Sequence, residues 1–132
     1  MATTREVITG ALRNLKVLDA LASAPAEDAA LCLEKLNDMM FAWATKGVDV
    51  NHYELGLDSP FTLDDKHVRG AKALLAMEVA PDFGKDPSAS VIQAADAGWR
   101  ALLDEYNEPT EVGVDEALLL IPTTRFWSGG AT

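Results

Sequence analysis

The chain is poor in the residues from which reactive centres are built. It has one cysteine, Cys32, so no disulfide can close within it. A lone thiol fits a reducing compartment and gives no basis for a zinc cluster. Its two histidines, His52 and His67, form no HxxxH or HxxE pair on a helical turn that would gather metal ligands. Gly-rich phosphate loops, nucleophile elbows and dinucleotide fingerprints are absent. No apolar run approaches the roughly 20 residues of a membrane helix. The opening MATTREVITG lacks the apolar core of an export signal, so neither a membrane nor a leader is expected. Bases are scarce as well: 11 against 21 acids, for a net charge of −10. Phosphate affinity rests on Lys and Arg, so no nucleic-acid-reading surface is expected. The balance suits a soluble protein, or one that meets a basic partner.

What is present is helical pattern. The chain has 132 residues, the length of one domain and enough to bury a core without staples. Apolar residues recur at steps of three and four in four stretches, which predicts an all-α protein with an antiparallel bundle of helices near 3–22, 26–46, 62–80 and 88–106. The first carries Ile8, Ala11, Leu12, Leu15, Leu18 and Ala22 on one stripe, behind a capping-box spacing of Thr3 and Glu6. The second carries Ala29, Leu33, Leu36, Met40 and Trp43, widened by Cys32 and Met39. It opens at Pro25 with Glu27 and Asp28 in its first turn and closes at Gly47. Residues 48–61 hold Asn51, Gly56, Asp58, Ser59 and Pro60 and read as a loop. The third helix, with Val68, Ala71, Leu75 and Val79, is expected to start at Thr62 with Asp65 in capping position. Pro81 and Gly84 stop it, and Pro87 opens the fourth, with Val91, Ala95, Gly98, Leu102 and Tyr106. Small residues on the last two helices, among them Ala71, Ala94, Ala95 and Gly98, imply a close crossing. The resulting division is a helical domain over 1–106 and a C-terminal extension over 107–132.

The candidate chemistry is thin. Asp64 and Asp65 are a carboxylate pair that could act on a glycoside, but acids at a helix start ordinarily complement its dipole. His67, in a first turn, is expected to be exposed or capping. Cys32, set among apolar residues, reads as an inert core thiol. Asp65–Arg69, Asp96–Arg100 and Arg100–Asp104 have the spacing of helix-surface ion pairs. Trp43 and Trp99 read as core or helix contacts. No catalytic, cofactor or metal site follows from these residues.

Beyond Tyr106 the period fails. Pro109, Gly113, Pro122, Gly129 and Gly130 interrupt any helix, yet Leu118, Leu119, Leu120 and Ile121 stand in a row before Arg125, Phe126 and Trp127. Either these residues fold back over the bundle or they are kept for a partner, since Phe, Trp and Arg are typical interface anchors.

Several stretches together resemble the tail accessory, or head-to-tail adaptor, family of short-tailed bacteriophages. These are Ala11-Leu12-Arg13, Glu27-Asp28-Ala29, Leu36-Asn37-Asp38-Met39 with Trp43, then ALLAMEVAPDFG, then VDEALLLIPTTRFWSGG with its Asp-x-Ala-Leu-Leu, Arg-Phe and closing Gly. Trp127-Ser128 departs from the Asn-Ile pair expected after the aromatic. The resemblance implies a virion structural protein of the head-tail junction, made in the host cytoplasm. Its partners would be the portal protein, identical subunits in a ring of twelve, and the next tail component, a nozzle or tail protein. The C-terminal extension would thread between portal subunits, which makes Leu118, Leu119, Leu120, Ile121, Arg125, Phe126 and Trp127 the expected partner-binding residues. No cofactor is implied. Three other readings stand beside it: a helical adaptor or head-completion protein of a long-tailed phage, a small cell-wall glycan hydrolase using a carboxylate pair, and a helical regulator of a host protein.

Overall fold

A computed structural model describes residues 2–19 and 22–106. Within them the protein is all-α. The helices are α1 (Thr4–Asn14), α2 (Ala26–Trp43), α3 (Val68–Val79) and α4 (Ala89–Tyr106), and no strand occurs among the described residues. Short 3-10 turns extend α2 over Ala44–Lys46, precede α3 over Asp65–His67 and follow it over Ala80–Phe83. The stripes read from the sequence form the core: Ile8, Ala11 and Leu12, then Leu36, Met40 and Trp43, then Ala71, Leu75 and Val79, then Val91, Ala95 and Leu102 are all buried. Helix α3 packs against each of the other three.

The second and fourth helices match their expected bounds closely. Gly47 ends the second in the left-handed conformation, at φ 96°, while the Val48 N–H reaches back to the Trp43 carbonyl at 2.9 Å. Ser88 Oγ accepts from the Val91 N–H at 3.4 Å and caps the fourth.

The first helix is shorter than its period suggested. It stops at Asn14 rather than near residue 22. Lys16 adopts φ 62°, its N–H bonds the Arg13 carbonyl at 3.0 Å, and the Val17 N–H bonds that of Leu12 at 3.0 Å. That pair of bonds is a Schellman closure with lysine where glycine is usual. Left-handed backbone costs a residue with a Cβ about 1–2 kcal/mol, which is why nothing in the residue type announced it. The turn lets Leu15 stay buried while Val17 and Leu18 pack on the core from a non-helical connector.

The third helix begins later than Thr62. Thr62 is an exposed bend residue, Asp64 is extended, and the expected side-chain cap does not form. Phe61 and Leu63 are 1% and 3% exposed, so both of these near-adjacent side chains must reach the core. Extended backbone sends residues two apart to the same side and so accommodates both, whereas a helix would set them about 200° apart, on opposite faces.

At the crossing of α3 and α4, Gly70 faces Gly98. A Cβ on Gly70 would lie 2.8 Å from the Gly98 Cα, and one on Gly98 would lie 2.6 Å from the Gly70 Cα. Backbone meets backbone there, so neither side can yield. At Gly10, by contrast, an added Cβ would meet the flexible stem of Lys72, at 2.5 Å from Cδ. We therefore expect Gly70→Ala and Gly98→Ala each to destabilise by about 1–3 kcal/mol through overpacking. This should hold although alanine is worth about 1 kcal/mol over glycine inside a helix. Gly10→Ala should be neutral or stabilising, because Lys72 can swing away. Urea midpoints of the three variants check the contrast.

Candidate functional site

Two polar arrangements fix the ends of the fold on which a functional surface can be built. The first is on α2. Asn37 is 7% exposed and faces the loop that joins α2 to α3. Its Nδ2 donates to the Leu55 carbonyl at 3.1 Å and its Oδ1 accepts from the Leu55 N–H at 2.9 Å. The amide thereby mimics one rung of a sheet and satisfies a buried backbone that has no regular partner. His52 Nε2 lies 2.9 Å from the same Oδ1. An amide oxygen only accepts, so His52 carries its proton on Nε2. Its Nδ1 is buried without a hydrogen-bond partner among the described residues, and the ring stands edge-on to Phe41 at 4.6 Å. Burial pushes the His52 pKa below its ordinary 6.5. Farther along, the loop caps α1: the Thr4 and Arg5 N–H groups donate to the Ser59 and Leu57 carbonyls, each at 2.9 Å. Thr3 Oγ1 takes the Glu6 N–H at 3.2 Å, as the capping spacing implied.

The second arrangement lies where α4 ends. His67 is 5% exposed, which corrects its expected surface position. The late start of α3 turns it inward. There Nε2 meets Glu105 Oε1 at 3.0 Å and the ring lies 5.9 Å from that of Tyr106. Lys66 Nζ joins the same carboxylate oxygen at 2.8 Å. The hydrogen bond from Lys66, followed by that from His67, holds the Glu105 carboxyl below its usual range. Glu105 in turn raises Lys66. Burial first, then the charges of Glu105 and Asp64, raises the Tyr106 hydroxyl. The start of α3 is thus tied to the last turn of α4, at the residue from which the chain continues toward 107.

The expected docking residues Leu118, Leu119, Leu120, Ile121, Arg125, Phe126 and Trp127 lie outside the described residues. Of the other candidates, Asp64 and Asp65 are both exposed. Arg100 bonds Asp96 at 3.0 Å, and neither Asp65–Arg69 nor Arg100–Asp104 forms an ion pair among the described residues. Cys32 is buried, and desolvation, followed by the charges of Asp28 and Asp82, pushes its thiol up to about 11. Such a thiol is protonated at neutral pH and a poor nucleophile. No three of the described His, Cys, Asp and Glu side chains are placed to share a metal ion. No described helix is long and apolar enough to cross a membrane.

Trp43 is core, and its ring lies 5.9 Å from that of Trp99. With Met39, Leu74 and Met77 the two rings line a groove of about 270 Å³ between α2, α3 and α4. The sequence reading missed Asn37 as a structural residue. The available signal was its place on the second stripe, four residues after Leu33 and three before Met40, where a polar side chain must find a buried partner.

No protein-family profile matches the chain, and no curated protein matches it.

Asn37→Ala should cost at least about 2 kcal/mol, because it strands a buried N–H and a buried carbonyl of Leu55 at about 1–3 kcal/mol each. Denaturant unfolding measures this. For His52 the folded pKa is depressed, so the unfolded chain binds more protons below about pH 6.5 and stability falls as pH drops through that window. Glu105 acts separately: its depressed pKa lends stability above the carboxylate range, lost only at lower pH. Comparing urea midpoints at about pH 7.5 and about pH 5.5 should show a smaller decline for His52→Gln than for the parent chain.

Proposed function

We propose that this protein is a head-to-tail adaptor of a bacteriophage virion. On this reading its helices form an antiparallel bundle, residues 107–132 form an extension, and the extension docks on the portal after DNA packaging. Identical subunits complete a ring that closes the head and carries the next tail component. The reading is supported by the resemblance that runs from Ala11-Leu12-Arg13 to the closing Gly of RFWSGG. One observation carries it beyond that resemblance. The helices and their loop already build a contiguous core from residues between Val7 and Leu102. Leu118 to Ile121, Phe126 and Trp127 add a concentrated apolar payload to the sequence beyond Tyr106.

Energetics favour a partner as the place for that payload. Ordering a residue costs about 1–2 kcal/mol, and Pro109, Gly113, Pro122, Gly129 and Gly130 stand against one continuous helix over the stretch, so its own backbone can satisfy few hydrogen bonds. A deep groove between portal subunits returns roughly 25 cal/mol per Å² of apolar area and supplies the missing hydrogen bonds. Arg125 adds a charge-assisted contact to an acidic partner. The net charge of −10 suits a subunit beside a DNA conduit, since it does not grip phosphates. The same charge opposes self-association, so the free protein is expected to be a monomer that the portal templates into a ring.

Deleting residues 115–132 should leave the helical signal and cooperative unfolding nearly intact while abolishing binding to the portal protein of the same virion. Trp127→Ala should weaken that binding by at least about 1 kcal/mol. Calorimetry of the full chain and both variants against purified portal measures each effect. Normal portal binding by the truncated chain would move the docking surface onto the helices, and unfolding of the truncated chain would make the segment part of the core. Release of soluble muropeptide from peptidoglycan, abolished by Asp64→Asn, would replace the assembly role with a hydrolytic one.

A further inference from the structure

Five of the eleven bases of this acidic chain line one surface. Lys66, Arg69 and Lys72 recur every third residue at the start of α3, and Arg5 and Arg13 stand on α1. Three adjoining clefts bring the five together. The first, of about 420 Å³, holds Arg5, Arg13 and Lys72. The second holds Lys72 and Arg69, and the third holds Arg69 and Lys66 beside the Gly70–Gly98 crossing. Shared walls make them one furrow, and among the described residues Glu6 is the single acidic one lining it. Arg5 is paired with Asp58 and Lys66 with Glu105. No ion pair among the described residues engages Arg13, Arg69 or Lys72. Three adjacent cations in a concave surface attract an anionic occupant, the more so in a chain whose surface is otherwise acidic.

We propose that the occupant is the chain's own acidic stretch, residues 107–116, laid along this furrow from Lys66 toward Arg13. Three facts select it. Charge is the first: NEPTEVGVDE carries Glu108, Glu111, Asp115 and Glu116 and no base. Place is the second. The stretch begins one residue beyond Tyr106, and its neighbour Glu105 is already bonded to Lys66 at 2.8 Å, at the mouth of the furrow. Reach is the third. Ten extended residues span up to about 33 Å, whereas Lys66 and Lys72 are separated by only about 9 Å along a helix. Pro109 favours extended backbone in the residue before it and suits a strap better than a helix. The strap neutralises Arg69, Lys72 and Arg13 and covers a surface that would otherwise draw phosphates or a neighbour's acids. The inference concerns the chain alone and does not depend on the adaptor role.

Carbodiimide coupling of the full chain tests it, with unlabelled and ¹⁵N-labelled protein mixed equally at low micromolar concentration and the cross-linked peptides read by mass spectrometry. The Lys66–Glu105 pair serves as the internal positive control. The expected result is coupling of Lys72 to Glu108, Glu111, Asp115 or Glu116 within single molecules, reduced several-fold in about 0.5 M NaCl, where screening is strong. Coupling of Lys66 to Glu105 without any product joining Lys72 to residues 108–116 would overturn the proposal. So would products of mixed isotope, which would assign the furrow to a second copy.

Discussion

The crossing of α3 and α4 at Gly70 and Gly98 is the contact on which the rest of the arrangement depends. Two backbones come so close that an added methyl group on either would meet the opposing Cα. A close crossing brings the start of α3 and the end of α4 within reach of one another. It is what allows Lys66 and His67 to share the Glu105 carboxylate and to hold the last turn of α4. It also leaves the floor of the basic furrow made of glycine and alanine, with Lys66 and Arg69 on its walls. One steric constraint therefore sets the packing of the largest helix pair, the point from which the C-terminal stretch departs and the shape of the surface nearest to it.

A second constraint is the backbone of the loop between α2 and α3. Val48, Leu55, Phe61 and Leu63 are buried, so the loop is part of the core although it has no regular hydrogen bonding. Asn37 supplies a substitute rung at Leu55, and the N-terminus of α1 consumes the carbonyls of Leu57 and Ser59. The neutral His52 completes the Asn37 cluster and makes it sensitive to acid. Loop, α1 and α2 satisfy one another's backbone groups at Leu55, Leu57 and Ser59, which lets a long irregular segment sit inside a helical protein; His52 Nδ1 is the buried side-chain atom left without a partner among the described residues.

Charge and apolar area are distributed in a way that fits an assembly subunit. Arg5 and Arg13 of α1 and Lys66, Arg69 and Lys72 around the start of α3 line one furrow, in a chain that carries 21 acids against 11 bases. Past Tyr106 the sequence is first acidic and then apolar, and the proposals assign these halves different tasks. The acidic half would strap the subunit's own cations, and the apolar half would anchor the portal. A strap held by screened electrostatics is reversible, whereas an apolar anchor in a deep groove is durable, so the division has a physical logic.

Much of the fold was legible in the sequence because helices that pack on one another need a repeating apolar stripe, and Ile8, Leu36, Leu75 and Leu102 lie on theirs as the period requires. Local chemistry also announced the Thr3 cap and the Gly47 closure, since both depend on the residue at the position itself. Where the outcome rested on distant groups, the sequence was silent. Lys16 turned left-handed against its own preference, and His67 was carried inward by a helix start that Phe61 and Leu63 delayed. Asn37 found its partners 15 and 18 residues away. The furrow joins cations from α1 and α3 that only packing brings side by side. Periodicity and capping are properties of neighbours along the chain, so sequence alone determined the helices and most of their faces. Buried polar pairing, backbone contact and charge segregation are properties of neighbours in space, and only the tertiary structure decided them.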